Sequence, residues 1–485
     1  AEARWQLGRA LEAQGRLDEA RAEYEDATRL DPSEPVYQRH LGTIWRKIGR
    51  HAWALRQTGF SKQTPSADDY DAAIAALQSA ISMGGDTPEV FAELGELFAL
   101  KGQHEDAIAQ FRKAVDAAPR EAHHHRALGI AYRLMGQAQK SLEQLDVADS
   151  LEPDCAQTQY EMGLSYMQAD QAEKAIEAVN EAIQLNPSEA SYHHMLGLIY
   201  HEADRDQEAI AALEKAVEIK PGMAPWHATV GSVYAAQERE HLSLEHYLRA
   251  VELAPERPEY LQNAAEAYGK LGNDKQVATL LQKAVRLEPD NPQRYSELGH
   301  AYLRQGQHRE AAKAYKRAVD LVPDDPAYLL NLGSVAVEMG DTKEALARFK
   351  AAATLKSDYT PVYEQLGDLF ERENKWSHAL AAYQRAAALE PENAHYHYKM
   401  GLAHKALGQF QEATDHLEQA IELAPEMTEA YGELGTVYEA QQRYDEAVQA
   451  YEHAIVIAPH RASHYGQLGR LCRQLGQLDK ALAYF

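Results

Sequence analysis

A segment that opens on Leu-Gly and closes on Pro returns at intervals of 34 residues along this chain. It reads LGRALEAQGRLDEARAEYEDATRLDP at 7–32, LGHAYLRQGQHREAAKAYKRAVDLVP at 298–323 and LGTVYEAQQRYDEAVQAYEHAIVIAP at 434–459. A period of this size means stacked supersecondary units that bury their apolar faces against one another. Units begin at Ala1, Pro35, Pro88, Ala122, Ala156, Ala190, Ala224, Pro258, Pro292, Pro326, Thr360, Ala394, Thr428 and Ala462. Twelve units of 34 residues, one of 53 and a last of 24 account for all 485, so no stretch remains for a separate domain. Length alone argues for about three domains. The periodicity replaces that expectation with one array over 1–485.

Within a unit, places 4, 7, 8 and 11 are apolar or small at helical spacing, and places 17, 20, 24, 27 and 28 repeat the pattern. Each unit therefore reads as two amphipathic helices, A and B. Gly usually stands at place 15 between them, and Pro at place 32 ends helix B. Place 8 is Gly in 13 of 14 units, and place 27 is Ala in all 13 that reach it. Gly inside a helix costs about 1 kcal/mol against Ala. Its recurrence at one place implies a close approach that a side chain would block. Repeat 8 departs from the rule at two of its small places, with Ala265 and Val277, which predicts altered packing there.

Small residues at places 8, 20 and 27, Leu at 7, Tyr or similar at 11, an aromatic or Leu at 24 and Pro at 32 resemble the tetratricopeptide repeat signature. LGLIYHEADRDQEAIAALEKAVEIKP at 196–221 fits it well, and the resemblance runs the length of the chain. It implies an all-α, right-handed superhelical solenoid whose concave face is lined by the A helices. It also implies a non-catalytic scaffold for a protein or peptide partner, with no cofactor. Pentatricopeptide repeats share a similar period, but the Gly/Ala/Ala/Pro places and the acidity argue against them. Two specialised grooves of related repeats are not carried over. The Lys at place 5 with Asn at place 9 that grips chaperone tails occurs in no unit. The Asn ladder at place 6 of the Ser/Thr N-acetylglucosamine transferase is reduced to Asn263 and Asn331.

The period breaks once. Repeat 2 carries 19 extra residues, 51–69, and the stretch from Pro35 to Ala67 holds six bases and no acid. The rest of the chain has 43 bases (49 less 6) against 74 acids. Helix A of repeat 2 is expected to run on past Arg50 toward Arg56, with a loop through Pro65 and helix B opening near Asp68. An insertion in one repeat maps to a loop on one face, often the binding face, and Trp and Arg are favoured anchors. Arg46, Arg50, Trp53, Arg56, Phe60 and Lys62 are the candidate contacts. The competing reading folds this island against the chain's own acidic repeats.

Places 5, 9 and 12 form one stripe on helix A. In most repeats the stripe is polar, as at Glu364 and Asp368. Across repeats 4 to 6 it turns apolar: Ile130, Tyr160, Leu164, Met167 and Leu198, with His194 and His201 beside them. An apolar strip on a face expected to be wet marks a docking site for an apolar peptide or helix. The alternative is burial of these side chains between neighbouring A helices.

The net charge of −25 opposes binding to nucleic acid or to an anionic membrane. No apolar run is long enough to span a bilayer. Two cysteines, Cys155 and Cys472, lie nine repeats apart, which fits unbridged thiols in a reducing, cytoplasmic setting. The 22 histidines offer no His pair at i, i+4 on one helix, and are expected to face solvent or a partner at the starts of A helices. There is no phosphate-cradling Gly loop and no nucleophile with a local base. The chain starts on place 1 and stops midway through a helix B, so it reads as part of a longer protein. The second functional reading is thus the sensor or regulatory arm of a larger enzyme, a signalling or defence ATPase or a transferase.

Overall fold

A computed structural model describes the backbone of residues 1–57 and 67–485, and the side chains of these except 46, 48–57 and 67–69. Among the described residues there are 28 α-helices in repeated pairs and no strand. Repeat 9 is representative: helix A is Pro292–Arg304 and helix B is His308–Leu321. The chain divides into two compact units, Ala1–Leu271 and Gly272–Phe485. Within each, the A and B helices of a repeat pack on each other, and helix B packs on the next helix A. Ala265 and Val277 of repeat 8 are both buried, each in its own unit.

Local chemistry sets the helix ends. Pro opens helix A in repeats 3, 8, 9 and 10, where its missing N–H costs nothing. Asn291, Asp325 and Asn393 cap A helices by accepting from the backbone N–H two residues on, at 3.1, 2.8 and 3.1 Å. Place 15 is left-handed in every repeat but the second, whether or not glycine occupies it. Gly306 has φ 69°, but Glu238 and Gln442 adopt φ 56° and 61°.

The small places do what their recurrence implies. The Ala side chains at places 20 and 27 are fully buried in most repeats, as Ala209, Ala216, Ala311 and Ala318 show. At place 8 the glycine faces the large residue at place 24 of the same repeat. A Cβ on Gly299 would lie 2.6 Å from the Tyr315 ring, and one on Gly95 would lie 2.8 Å from Phe111. The helices of a pair approach so closely because one contact surface has no side chain.

Repeat 2 departs from the beat in the expected way. Its helix A extends over Pro35–Gln57, 23 residues against 13 in most repeats, and its helix B is Ala67–Ser82. The loop expected through Pro65 lies outside the described residues from 58 onward.

Candidate protein-binding groove

The seven groove candidates lie on the A helices of repeats 4, 5 and 6: Ala122–Leu134, Ala156–Gln168 and Ala190–Glu202. All seven are half-buried. Tyr160 and Met167 also pack against the core cluster that contains Ile176, Val179 and Leu196. The Tyr160 ring lies 4.9 Å from that of Tyr192, and burial pushes its phenol up to about 12. Ile130 lines an open cleft with Ala92, Ala99, Leu100 and Leu134, with Glu96 and Arg126 at the rim.

The two histidines are engaged by their own chain. His194 stacks on Trp226 with ring centroids 5.0 Å apart, and burial pushes it down to about 4. His201 Nδ1 lies 2.8 Å from Asp206 Oδ1, which ties the end of helix A to the start of helix B in repeat 6. Among these apolar groups Arg133 Nη2 donates to Glu161 Oε2 at 2.9 Å. Burial pushes the Glu161 carboxyl up in spite of that partner. Arg126, at place 5, turns toward repeat 5 and donates to Cys155 Sγ and Thr158 Oγ1, both at 3.1 Å.

Of the insertion candidates, Arg46, Arg50, Trp53 and Arg56 fall on the long helix A of repeat 2, and their side chains lie outside the description. Phe60 and Lys62 lie outside the described residues altogether. The described part of the basic island contacts the chain itself. Lys47 Nζ donates to Glu12 Oε1 at 2.6 Å, and the Arg21 guanidinium covers the Trp45 ring at 4.6 Å.

The expectation about histidine fails at six positions. His124, His125, His227, His397, His404 and His464 are buried rather than solvent- or partner-facing. For His125, His227 and His397 a recurring bond accompanies the burial. At place 4, His Nε2 donates to the carbonyl of the place-32 proline of the preceding repeat. The pairs are His125–Pro119 at 3.1 Å, His193–Pro187 at 3.0 Å, His227–Pro221 at 3.1 Å and His397–Pro391 at 3.1 Å. A carbonyl only accepts, so Nε2 carries the hydrogen. Repeat 10 lacks the proline, and there Tyr363 Oη donates to the Ser357 carbonyl at 3.0 Å in the same role. A Pro followed six residues later by His was the signal in the sequence.

A second recurrence joins place 24 to place 12. Tyr24 Oη donates to Glu12 Oε2 at 2.6 Å, Tyr383 Oη lies 2.7 Å from Glu371 Oε2, and Tyr451 donates to Glu439. Lys399 Nζ closes the repeat 11 set at 2.9 Å from Asp368 and 3.0 Å from Glu371. These polar clusters are internally satisfied and reinforce the hairpins. Among the described residues, no group of three or more His, Cys, Asp or Glu is placed to hold a metal ion. Both cysteines are free thiols. No helix among the described residues is long and apolar enough to cross a membrane.

This geometry belongs with a known family. A tetratricopeptide repeat model matches residues 66–122, 102–154, 160–224, 296–360 and 398–462. Related repeat models match 1–44, 258–291, 367–408 and 462–485. The chain belongs to the tetratricopeptide repeat family, whose repeats serve as scaffolds for protein or peptide partners. No curated protein matches the sequence. Among solved structures, the Cut9–Hcn1 hetero-tetramer of the APC/C is 15% identical, over 88% of this chain and 96% of that one, with a TM-score of 0.38. MamA is 27% identical over 34% of this chain and 98% of its own, with a TM-score of 0.32. YrrB, described as a TPR protein with an unusual peptide-binding site, is 20% identical over 39% and 96%, with a TM-score of 0.35.

Proposed function

We propose that this chain binds an apolar segment of a protein partner along the A helices of repeats 4 to 6, and that the repeat 2 insertion supplies a second, basic contact. The observation that carries the first part is the half-buried state of Ile130, Leu164 and Leu198. Each stands at place 9, where other repeats carry Glu96, Asp368 or Arg470. A surface that keeps aliphatic side chains partly in water gains by covering them, at roughly 25 cal/mol per Å² removed from solvent. Tyr160 and Met167 contribute their outer edges, while their inner faces hold the repeats together. The Arg133–Glu161 pair places charged groups among the apolar side chains of this strip. The insertion residues Arg46, Arg50, Trp53, Arg56, Phe60 and Lys62 would favour an acidic flank on the same partner.

Selection from a displayed peptide library against the whole chain tests this reading. Recovered peptides should carry aliphatic or aromatic anchors, and a Leu164→Glu, Leu198→Glu double variant with unchanged helicity should lose at least tenfold in affinity for them. Peptides that bind the double variant equally well would place the site elsewhere. A Trp53→Ala, Arg56→Glu variant reads the insertion separately, through loss of preference for peptides with acidic flanks.

A further inference from the structure

The strongest unexplained feature lies between repeats 6 and 7, where two imidazoles, a carboxylate and a phenol form one chain. His227 and Tyr234 stand on helix A of repeat 7, Ala224–Ala236; His246 on its helix B, Glu240–Leu253; and Glu214 on helix B of repeat 6, Asp206–Ile219. His227 Nε2 lies 3.1 Å from the Pro221 carbonyl oxygen. The two Nδ1 atoms of His227 and His246 are 3.2 Å apart. His246 Nε2 lies 3.1 Å from Glu214 Oε1, which also accepts from Tyr234 Oη at 2.8 Å. His227 and Tyr234 are buried, and the His246 side chain is 12% exposed.

Hydrogen counting decides the protonation of this chain. The Pro221 oxygen and the ionised Glu214 oxygen only accept, so each needs an N–H from its imidazole. The N···N contact needs one further proton between the two rings. Three protons on four ring nitrogens are required, whereas two neutral imidazoles carry two. We propose that the repeat 6–repeat 7 junction is a proton-operated latch, closed when the His227–His246 pair holds one extra proton against the Glu214 carboxylate. The proton belongs to the pair, as in any tightly coupled site.

The other charged groups near the chain do not supply an alternative donor. Burial, His246 and Arg249 on helix B of repeat 7 push His227 down and oppose the extra proton, the Pro221 carbonyl and Glu214 favour it, and Glu245 bears on Tyr234. The Arg239 guanidinium sits over the Tyr234 ring at 4.8 Å. Glu214 is the anion in hydrogen-bond contact. Its bond from His246 holds its carboxyl below the usual range, so the anion persists into mild acid. When rising pH removes the extra proton, one contact loses its hydrogen and a nitrogen lone pair then faces an acceptor. Stability from the latch is therefore present on the acid side and lost as pH rises past the pair's titration. It is lost again when acid protonates Glu214.

Repeats 4 and 12 show that this composition is not general. In repeat 4, the place of His246 is taken by Gln144, which lies 2.9 Å from His125 Nδ1, and the place of Glu214 by Arg112. An amide can present either its oxygen or its NH₂, so no extra proton is required there. In repeat 12, His404 and His416 stack 5.2 Å apart, His397 is the place-4 histidine and the place of Glu214 is taken by Gln384. Burial, then the neighbouring histidines, push His416 down, and with Gln384 in place of the glutamate that set has no carboxylate to hold an extra proton.

Selective ¹⁵N-histidine labelling of the whole chain tests the proposal. At pH about 6.5, nitrogen shifts assigned through a His246→Gln variant should show three protonated nitrogens across His227 and His246. As pH is raised one proton should leave the pair, and the protection factors of helix A amides in repeat 7 should fall about tenfold. Glu214→Gln should reduce the count to two already at pH about 6.5. His246→Gln, which installs the repeat 4 residue, should remove the pH dependence while keeping the fold. Two neutral imidazoles in the wild type at pH about 6.5, or protection independent of pH, would overturn the latch without recourse to any variant.

Discussion

Glycine to alanine normally stabilises a helix interior by about 1 kcal/mol, because alanine fixes the unfolded chain less expensively than glycine. In this chain that gain should be lost at one glycine of the second unit and kept at another. Gly299 is at place 8, and an added Cβ would lie 2.6, 2.7 and 2.8 Å from three atoms of the Tyr315 ring. Tyr315 is fully buried within the cluster that includes Leu329, Leu332 and Phe349, so the ring cannot swing out to relieve the contact. Overpacking of this kind costs about 1–3 kcal/mol. Set against the intrinsic gain of about 1 kcal/mol, Gly299→Ala should be neutral to destabilising by roughly 2 kcal/mol. Gly466 lies within helix A of repeat 14, and an added Cβ meets nothing within 4 Å. Gly466→Ala should therefore stabilise by up to about 1 kcal/mol. Urea titrations followed by circular dichroism, with hydrogen exchange to localise the effect, compare the two. A Gly299→Ala protein as stabilised as Gly466→Ala would refute close approach at place 8, and with it the packing account of the repeats.

The tyrosines of place 24 give a second contrast. The Tyr383 hydroxyl lies 2.7 Å from both Asp368 and Glu371, whereas the Tyr315 hydroxyl is buried with no partner among the described residues. Tyr383→Phe should cost about 1.5–3 kcal/mol, and Tyr315→Phe should be neutral or stabilising by about 1 kcal/mol, read as shifts in urea midpoint. Gln442 holds φ 61° at the place where most repeats put glycine, so Gln442→Gly should raise the thermal midpoint of the second unit, by relieving about 1 kcal/mol of backbone strain. An unchanged or lower midpoint would count against that strain.

The candidate groove was legible as a pattern because the repeats are periodic. The apolar residues of repeats 4 to 6 stand out only against the polar residues that other repeats carry at the same places, and the structure sets all seven candidates half-buried on A helices. What the pattern did not reveal was how many of them are already engaged. Tyr160 and Met167 share the core, His194 lies under Trp226, and His201 is tied to Asp206. These contacts join residues of different repeats or opposite helices. The period alone does not say which side chain at a shared place turns inward.

The sequence by itself determined the units, their helices and their closest contacts. Those depend on local facts: helical spacing of apolar residues, proline and glycine at fixed places, and a missing side chain where two helices touch. The long helix A of repeat 2 was legible for the same reason, as an excess of 19 residues inside one known unit. Only the tertiary structure decided the fate of the polar groups. Whether a histidine meets solvent, a proline carbonyl or a second histidine depends on groups that lie 6, 19 or 32 positions away in sequence. Proton placement follows from those distances, because a hydrogen bond exists only when a donor and an acceptor have been brought within about 3 Å of each other.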